Sequence, residues 1–313
     1  MNLAEDILVF LTAEGFGCKI ESVCGCDVIC VGLKDGRRRL VIPVRITARS
    51  QEDAEKQSSG LLELIKRLTE ETGRQPLMIT EDRWRSQGEM MKERLLAHLE
   101  VFFPVYARNC EIRKIDKTEA AAFLEANHSY GDAACRNRYG MFLRRHTGWR
   151  SQIQLSYPDQ ENNLEQSGNI SEALKPGTLI AVAEFSNARK WVKGEKTIRS
   201  YEWTRYASLP GVRINGGMGK MLKHFIKEVQ PDDIMSYADL EWSEGAVYEQ
   251  LGFTLEDRKE PVAFTVDCNT WARKAIRTSG EVADEEKTAQ SEARRFFRNF
   301  GSNKYRLKLT EYR

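Results

Sequence analysis

Gly211-Val-Arg-Ile-Asn-Gly-Gly-Met-Gly-Lys-Met-Leu222 is the stretch that decides the fold of the second half of the chain. It follows a predicted strand over residues 200–207 and opens a predicted helix that continues to Glu228. Glycines let backbone N–H groups approach a phosphate closely, and the N-terminus of a helix adds a partial positive charge. The stretch therefore predicts a phosphate-binding turn, with an ordinary tight strand-to-helix turn as the alternative.

Two common phosphate-binding loops do not fit the residues around these glycines. Lys220 is followed by Met221, where a nucleotide-binding P-loop requires Ser or Thr. No acidic residue ends a strand in the way that a dinucleotide-binding fold requires. These two classes of phosphate site are therefore set aside.

A second informative stretch lies downstream, Ser236-Tyr-Ala-Asp-Leu-Glu-Trp-Ser-Glu-Gly-Ala-Val-Tyr-Glu-Gln-Leu-Gly-Phe253. It predicts a strand, a loop and a short helix over 243–251. Together the two stretches resemble the GNAT superfamily of acyl-CoA N-acyltransferases. In that family an [RQ]-x-x-G-x-[GA] loop opens a helix, and a later helix ends in A-x-x-x-Y-x-x-x-G-F or a close variant. Gly217-Met-Gly219 matches the loop, and Tyr248, four residues before Gly252, matches the helix.

The resemblance implies acetyl-CoA, or another acyl-CoA, as the cofactor. In this family the loop binds the pyrophosphate and the preceding strand, 201–208 here, pairs with the pantetheine arm. The implied cofactor-binding residues are Tyr206, Ala207, Ser208, Arg213, Gly216, Gly217, Gly219 and Lys220. Arg213 departs from the family pattern because it lies one residue further from Gly217, which predicts a loop longer by one residue. Tyr248 would donate a proton to the thiolate leaving group, with a core aromatic on an amphipathic helix as the alternative.

An amine acceptor must lose a proton, and several side chains are candidates for the base. They are Glu184 and Glu202 on predicted central strands, Asp239 at a strand end, and His128 after a helix. Each has a structural alternative: arginines such as Arg205 could satisfy the two glutamates, and His128 could cap the helix that ends at Asn127. A chain of water molecules is a further alternative to all four.

The fold class predicted is α/β (α+β). Residues 1–105 form a small α/β domain, 106–270 the mixed-sheet acyltransferase domain, and 271–313 a charged linker and a C-terminal extension with a helix over 292–300 and a strand over 304–309. The first domain resembles, in its Thr80-Glu-Asp-Arg-Trp-Arg85 stretch, the closing part of Vsr-type nucleases. The acyltransferase part is similar in outline to the Mom-like proteins, which modify adenine in phage DNA.

The nuclease-like domain is predicted to lack metal chemistry. Such nucleases need an acidic residue on one strand and an acidic-x-Lys pair on the next to hold a divalent metal. Asp27 could supply the first, but the following strand, Val41-Ile-Pro-Val-Arg-Ile46, contains no carboxylate. Four cysteines crowd between Cys18 and Cys30, yet they lack the paired spacing of zinc sites. We therefore expect no metal.

Composition and charge leave the partner open. The chain has 313 residues, of which 41% are hydrophobic and 30% charged, and its formal net charge is +2. No apolar run approaches the roughly 20 residues of a membrane helix, so we expect no membrane partner and a cytoplasmic location. Basic residues interleaved with aromatics suggest a nucleic-acid partner. They form three clusters: Arg136, Arg138, Arg144, Arg145 and Arg150; Lys190, Lys193, Lys196 and Arg199; Arg294, Arg295, Arg298, Lys304, Arg306 and Lys308.

The sequence thus predicts an acyl-CoA-dependent N-acyltransferase, with a nucleic-acid-associated acceptor as the favoured special case. One alternative is a non-catalytic nucleic-acid-binding protein that uses both enzyme folds as scaffolds. Another is an acetyltransferase for small molecules or proteins with an accessory domain. The acceptor, the acyl group and the oligomeric state are left open.

Overall fold

The computed structural model describes residues 2–145, 174–243, 245–276 and 293–311. Its helices are α1 (Leu3–Ala13), α2 (Gln51–Thr72), α3 (Glu81–Ser86), α4 (Gly88–His98), α5 (Lys117–Asn127), α6 (Gly217–Val229) and α7 (Ala246–Gln250). Its strands are β1 (Cys18–Val23), β2 (Cys26–Gly32), β3 (Arg38–Val44), β4 (Leu77–Thr80), β5 (Phe103–Tyr106), β6 (Cys110–Lys114), β7 (Asn137–Leu143), β8 (Leu179–Phe185), β9 (Arg189–Lys193), β10 (Lys196–Ser208), β11 (Val212–Asn215), β12 (Asp233–Asp239), β13 (Thr254–Lys259), β14 (Ala263–Asp267), β15 (Arg273–Ala275), β16 (Arg294–Arg298) and β17 (Ser302–Lys308). The chain is α/β with mixed sheets, as predicted.

The chain divides into two compact units. The first comprises Met1–Leu99, Ala238–Gly245 and Asp257–Asn303, and the second Glu100–Tyr237, Ala246–Glu256 and Lys304–Arg313. This division differs from the three consecutive segments expected from the sequence, 1–105, 106–270 and 271–313. The reason is strand pairing: β14, β15 and β16 form their own sheet in the first unit, whereas β17 joins the large sheet. The charged linker expected within 271–313 lies largely outside the described residues.

The first unit is built on a four-stranded sheet in the order β1-β2-β3-β4. The first three strands are antiparallel, and β4 pairs parallel to β3 after the long crossover helix α2. Ser50 begins α2 by accepting a hydrogen bond from the N–H of Asp53, and Gly73 ends it at φ 69°, where glycine is favoured. The buried face of α2 carries Leu61, Leu64, Ile65 and Leu68.

The first unit contains a second sheet of three strands, in the order β15-β14-β16, and one of its strands differs from the prediction. Residues 292–300 were expected to form a helix with phenylalanines on one side, but the structure has the strand β16 there. Phe296 and Phe297 are adjacent in sequence and both are buried, at 1% and 3% exposure. Phe297 lies opposite Phe264 in the sheet, while Phe296 also bridges to Ala48. Side chains of neighbouring strand residues point to opposite faces, so burial of both indicates a strand covered on both sides.

The interior of the first unit contains a network of charged side chains. The buried guanidinium of Arg273 donates to both carboxylate oxygens of Asp82, to Glu241 Oε1 at 2.6 Å and to Thr80 Oγ1 at 3.1 Å. Arg83 Nε donates to the other oxygen of Glu241 at 3.3 Å. These two carboxylates raise the pKa of Arg273 against the opposing effect of its burial. Thr80, Asp82 and Arg83 of the nuclease-like stretch therefore belong to a closed structural network.

The second unit is built around the larger sheet, in the order β13-β17-β12-β10-β8-β7-β6, with β9 paired to β10. Strands β6, β7, β8 and β10 are antiparallel neighbours, whereas β12 runs parallel to β10. Stacked aromatic rings fill its core: the centroids of Phe185 and Phe225 lie 3.9 Å apart, and those of Phe185 and Trp203 lie 5.2 Å apart. The strand expected near the C-terminus, 304–309, is confirmed as β17.

Candidate functional site

Two neighbouring strands of the large sheet stop pairing midway along their length. Strand β10 pairs with β12 at three positions only, the last being Glu202 opposite Met235. Both strands continue beyond that pair, and β10 keeps its pairing with β8 as far as Ser208. A β-bulge between Trp203 and Arg205 lies where the pairing with β12 stops. Bulges bend a strand and increase its twist. Beyond Glu202, no strand of the described residues pairs with β10 on the side of β12. A ligand could therefore add along that edge, although the carbonyl oxygens of Thr204 and Arg205 accept hydrogen bonds from side chains of β10 itself.

The helix that follows begins without a side-chain cap. Gly216 is its N-cap, at φ 75°, and its first turn contains no acidic residue. The first N–H groups of any α-helix have no acceptor within the helix. Here they belong to Gly217, Met218 and Gly219, the predicted anion-binding turn. Lys220 was expected among the cofactor-binding residues, but its backbone N–H donates to the carbonyl of Gly216 at 3.0 Å and is not one of the free N–H groups of the turn.

The side chain of Lys220 also makes hydrogen bonds within the protein. Its ammonium donates to the backbone carbonyls of Ala107, at 2.8 Å, and of Cys110. It therefore ties the first turn of α6 to the chain that enters β6. The positive end of the helix dipole lies at this turn, and the charged Lys220 ammonium is held beside it by two neutral carbonyl oxygens.

Close packing explains why the turn is made of glycines. A Cβ at Gly217 would lie 2.7 Å from the Tyr206 hydroxyl oxygen and 2.9 Å from Ile214 Cγ2, both too close. A Cβ at Gly219 would lie 3.3 Å from the side chain of Leu251. Burial raises the pKa of Tyr206, so its phenol stays protonated beneath the first turn. The turn thus presents bare backbone N–H groups, and it fits the pyrophosphate of an acyl-CoA.

The remaining predicted cofactor residues flank this turn. Ala207 is buried on β10, and the hydroxyl of Ser208 donates to the carbonyl of Val212 at 3.2 Å. Arg213 lies on β11, which pairs parallel to β5, and its guanidinium lies 4.8 Å from the centre of the Phe102 ring. The short strand β11 accounts for the longer spacing between Arg213 and the glycines. A phosphate contact by Arg213 stays a prediction.

Tyr248 lies at the point where β10 and β12 part. Its hydroxyl oxygen is 2.8 Å from Ser236 Oγ, which in turn lies 2.9 Å from the Trp203 carbonyl oxygen. Trp203 and Ser236 directly follow the last paired residues of the two strands. The expected helix over 243–251 is shorter in the structure, Ala246–Gln250, and residues 240–242 form a turn after β12.

Aromatic rings surround the phenol of Tyr248. Its ring stacks on Tyr305 with centroids 5.3 Å apart, and Phe253 and Trp203 approach it edge-on. Burial raises the pKa of Tyr248, the Ser236 hydrogen bond lowers it, and Tyr305 raises it further. A phenol that stays protonated at neutral pH and sits beside an open strand edge is suited to donate a proton.

Glu184 is a candidate base with a raised pKa. It is fully buried, where Arg138 Nε donates to it at 2.9 Å and the N–H of Ala133 at 3.2 Å. Burial, followed by the neighbouring carboxylate of Asp132, raises the pKa of Glu184 to about 7 against the opposing effects of Arg138 and Ala133. Asp132 Oδ1 is buried and has no hydrogen-bond partner among the described residues. Arg138 satisfies this glutamate, whereas Arg205, expected in that role, donates to the carbonyl of Gly131.

The other three candidate bases have structural partners. The backbone N–H of His128 caps α5 by donating to the carbonyl of Leu124, and its ring Nδ1 accepts from the N–H of Tyr130 at 3.1 Å. Glu202 Oε2 lies 4.0 Å from an Arg189 nitrogen. Asp239 belongs to the first compact unit, where its carboxylate accepts from the N–H of Glu241 at 3.0 Å. The structure therefore gives His128 the capping role that was its alternative.

The three basic clusters differ in what remains at the surface. In the first, Arg138 pairs internally with Glu184, and Arg150 lies outside the described residues. In the third, Arg306 pairs with Glu256 and Asp233. The second forms the antiparallel hairpin β9–β10, on which Trp191 is 52% and Val192 76% exposed.

The described residues contain neither a metal-binding cluster nor a membrane-spanning helix. Within residues 2–145, 174–243, 245–276 and 293–311, no group of three or more His, Cys, Asp or Glu side chains could hold a metal ion. In the same ranges no helix combines the length and the apolar character needed to cross a bilayer. All seven cysteines are free thiols.

Two residues of the site escaped sequence reasoning. Ser236 opens the Ser-Tyr-Ala-Asp stretch, yet nothing in that stretch signals that its hydroxyl would meet a phenol twelve residues later. Asp132 lies in the loop between α5 and β7, where an aspartate is an ordinary turn residue. Its interaction with Glu184 is a tertiary contact between residues 52 positions apart in the sequence. A local sequence pattern does not extend over such a separation.

Comparisons with known proteins give only distant likenesses. The sequence matches no protein-family model and no curated protein sequence. The fold is similar to Eis1 from Mycobacterium abscessus, with a TM-score of 0.31 and 14% identity over 51% of this chain and 34% of that chain. YncA from Salmonella typhimurium, solved with acetyl-CoA, has a TM-score of 0.31 and 16% identity, over 65% of this chain and 96% of that chain. A chimera of Vibrio cholerae spermidine N-acetyltransferase SpeG and hSSAT has a TM-score of 0.31 and 11% identity, over 64% of this chain and 96% of that chain. At this level none of these likenesses establishes a family or an activity for the chain.

Proposed function

We propose that the second compact unit is an acyl-CoA-dependent N-acyltransferase, with an acetyl group as the favoured acyl group. The observation that carries the proposal is that two features occur together in this unit. An uncapped glycine turn opens α6, and a protonated phenol, Tyr248, lies where β10 and β12 part. The first suits a pyrophosphate and the second a leaving group that needs a proton.

Each part of the cofactor has residues to receive it. The N–H groups of Gly217, Met218 and Gly219 would bind the pyrophosphate, and the edge of β10 from Thr204 to Ser208 would pair with the pantetheine arm. Bound acyl-CoA supplies a thioester, whose carbon accepts the amine while sulfur leaves. Tyr248 would give its phenol proton to that sulfur.

For the acceptor side we favour the pair of Glu184 and Asp132 over the other candidate bases. A carboxyl group with a pKa of about 7 can exchange a proton at neutral pH. Glu184 itself is fully buried. Asp132, which is partly exposed, would therefore be the member of the pair that meets the acceptor.

Calorimetric titration with acetyl-CoA tests the cofactor site. We expect micromolar binding by the wild type, on the order of −8 kcal/mol, and its loss in Gly217→Glu, where the new side chain meets Tyr206 and Ile214. Gly60→Glu is the matched control, because Gly60 is a helical glycine with open space around it. Wild-type protein that does not bind acetyl-CoA would contradict the proposal.

A second candidate function, nucleic-acid association, is favoured by the β9–β10 hairpin. Its exposed Trp191 offers a stacking surface, and Lys190, Lys196 and Arg199 offer charges for phosphates. Arg199 is partly neutralised, since its Nε lies 3.7 Å from an oxygen of Asp232. The acceptor would then be an amine on, or bound to, a nucleic acid. The outline likeness to Mom-like and Vsr-type proteins agrees with this candidate.

Fluorescence anisotropy with a labelled single-stranded oligonucleotide tests it. We expect salt-dependent binding that weakens about thirtyfold or more in a Trp191→Ala, Lys190→Ala double variant, since stacking and phosphate contacts each contribute about 1 kcal/mol or more. Lys66→Ala, which removes an exposed lysine from α2, is the control. Equal binding by all three proteins would remove the hairpin from consideration. Acetyl-CoA binding without any oligonucleotide binding would favour a small-molecule or protein acceptor.

A further inference from the structure

Ser236 is a buried hydroxyl that links the two parting strands to the phenol. It is 1% exposed and lies directly after the last residue of β12 that pairs with β10. We propose that Ser236 is the positioning residue of Tyr248: it holds the phenol at the strand opening and donates to the phenolate when the proton has left. This inference rests on the acyltransferase proposed above.

The three oxygen atoms fix the order of donors in the resting state. A serine hydroxyl has one hydrogen to donate, and a backbone carbonyl can only accept. Ser236 therefore donates to the carbonyl of Trp203 at 2.9 Å, and Tyr248 donates to Ser236 Oγ at 2.8 Å. In this arrangement the phenol proton is held next to the opening of the sheet by an acceptor that can itself become a donor.

The exchange of donors follows from the reaction's proton balance. The amine nitrogen forms a bond to the acyl carbon, the carbon–sulfur bond breaks, and sulfur keeps its electron pair. Tyr248 gives its proton to that sulfur and becomes a phenolate. The Ser236 hydroxyl then rotates from the Trp203 carbonyl to the phenolate oxygen, without losing its own proton. The proton that the acceptor nitrogen loses finally restores the phenol, so no external acid or base is consumed.

The side chains around Tyr248 leave the Ser236 hydroxyl as the group that stabilises the phenolate. Tyr305, Trp203 and Phe253 are the rings packed on Tyr248, and none of them carries a charge that would stabilise a phenolate. Burial and Tyr305 both disfavour the phenolate, whereas the Ser236 hydrogen bond favours it. Ser236 is thus the group among the named neighbours that lowers the cost of releasing the proton.

A titration of the phenol itself tests the inference without requiring an acceptor. Protein with carbon-13 in its tyrosine side chains is titrated by NMR, and the Tyr248 signal is assigned by its loss in Tyr248→Phe. We expect Ser236→Ala to titrate at higher pH than wild type, and Ser236→Thr, which keeps a hydroxyl, to return toward the wild-type curve. Acetyl-CoA binding, followed by calorimetry, should be unchanged in both variants. Thiol release from acetyl-CoA with an accepting amine should fall about tenfold in Ser236→Ala, a fraction of the effect of a general acid.

The outcomes separate this inference from the function on which it rests. An unchanged Tyr248 titration in a folded Ser236→Ala protein overturns the positioning role, even where acetyl-CoA still binds. If the titration shifts but the wild type binds no acyl-CoA, the acyltransferase proposal fails and the role of Ser236 in it fails too. A shifted titration, retained binding and a slower thiol release together support the inference.

Discussion

Both compact units bury polar side chains, but they do so in opposite ways. Around Arg273 the groups are full charges, and each carboxylate is matched by guanidinium donors. Around Tyr248 the groups are a phenol and a hydroxyl, and Glu184, to which Arg138 also donates, is a carboxyl group with a pKa of about 7. The carboxylates beside Arg273 raise its pKa, so this guanidinium keeps its proton, whereas the Glu184 carboxyl group, with a pKa of about 7, can exchange a proton at neutral pH. The comparison teaches that burial alone does not mark a functional site; a proton that can be released does.

Removing the centre of the charged network should have the largest effect. Arg273→Met leaves Asp82 and Glu241 buried without their main partner, and we expect the free energy of unfolding to fall by about 3–5 kcal/mol. Urea unfolding of the full chain measures it, with Arg258→Met as a control at an exposed position of the first unit. Similar losses in both variants would mean that the network is not special.

The raised pKa of Glu184 should make the free energy of unfolding depend on pH. The folded-state pKa of Glu184, about 7, lies above its usual value of 4.5, so the folded state binds more protons than the unfolded state between these values. Its contribution is full below pH 4.5 and is lost as the pH rises to about 7, a change of about 3 kcal/mol at most. Glu184→Gln should remove this slope.

Urea unfolding at steps across that window checks the slope. Glu202→Gln, a glutamate on the neighbouring strand, should leave it in place and serves as the control. A Glu184→Gln protein that still loses stability over the same window would show that another group carries the proton.

The smallest expected effect on stability, and the sharpest on chemistry, belongs to Tyr248. Tyr248→Phe keeps the ring and removes the hydroxyl, so acetyl-CoA affinity should be unchanged while thiol release falls about 100-fold. Tyr305→Phe, the ring stacked on it, is the control and should cost much less. Equal loss in both variants would indicate that packing of the pair, and not the Tyr248 proton, is what matters.

The turn and the phenol could be predicted from sequence because both depend on short spacing. Gly217 and Gly219 are separated only by Met218 at the start of the helix, and Tyr248 lies four residues before Gly252. Lys220 shows the limit of such matching. Its place in the motif put it among the cofactor-binding residues, yet the N–H of this fourth helical residue already donates to the N-cap carbonyl.

What could not be predicted depends on contacts between distant segments. The aromatic spacing at 296, 297 and 300 fits a helix face as well as it fits β16, and only pairing with β14 decides between them. Arg273 resembled part of a charged linker, although it is the centre of a buried network. Neither Ser236 nor Asp132 carries a local signal, because each acquires its role from a residue on another element.

The place of β17 in the large sheet has a consequence for biosynthesis. This strand lies between β12 and β13, although the segment 260–301 separates it from β13 along the chain. On the ribosome, strands β12 and β13 are therefore made before the strand that joins them. Until residue 308 has left the exit tunnel, each exposes an unpaired edge, which other chains or chaperones can bind. Tyr305 of β17 also completes the ring packing on Tyr248, so the surroundings of this phenol are complete only after translation has passed that strand.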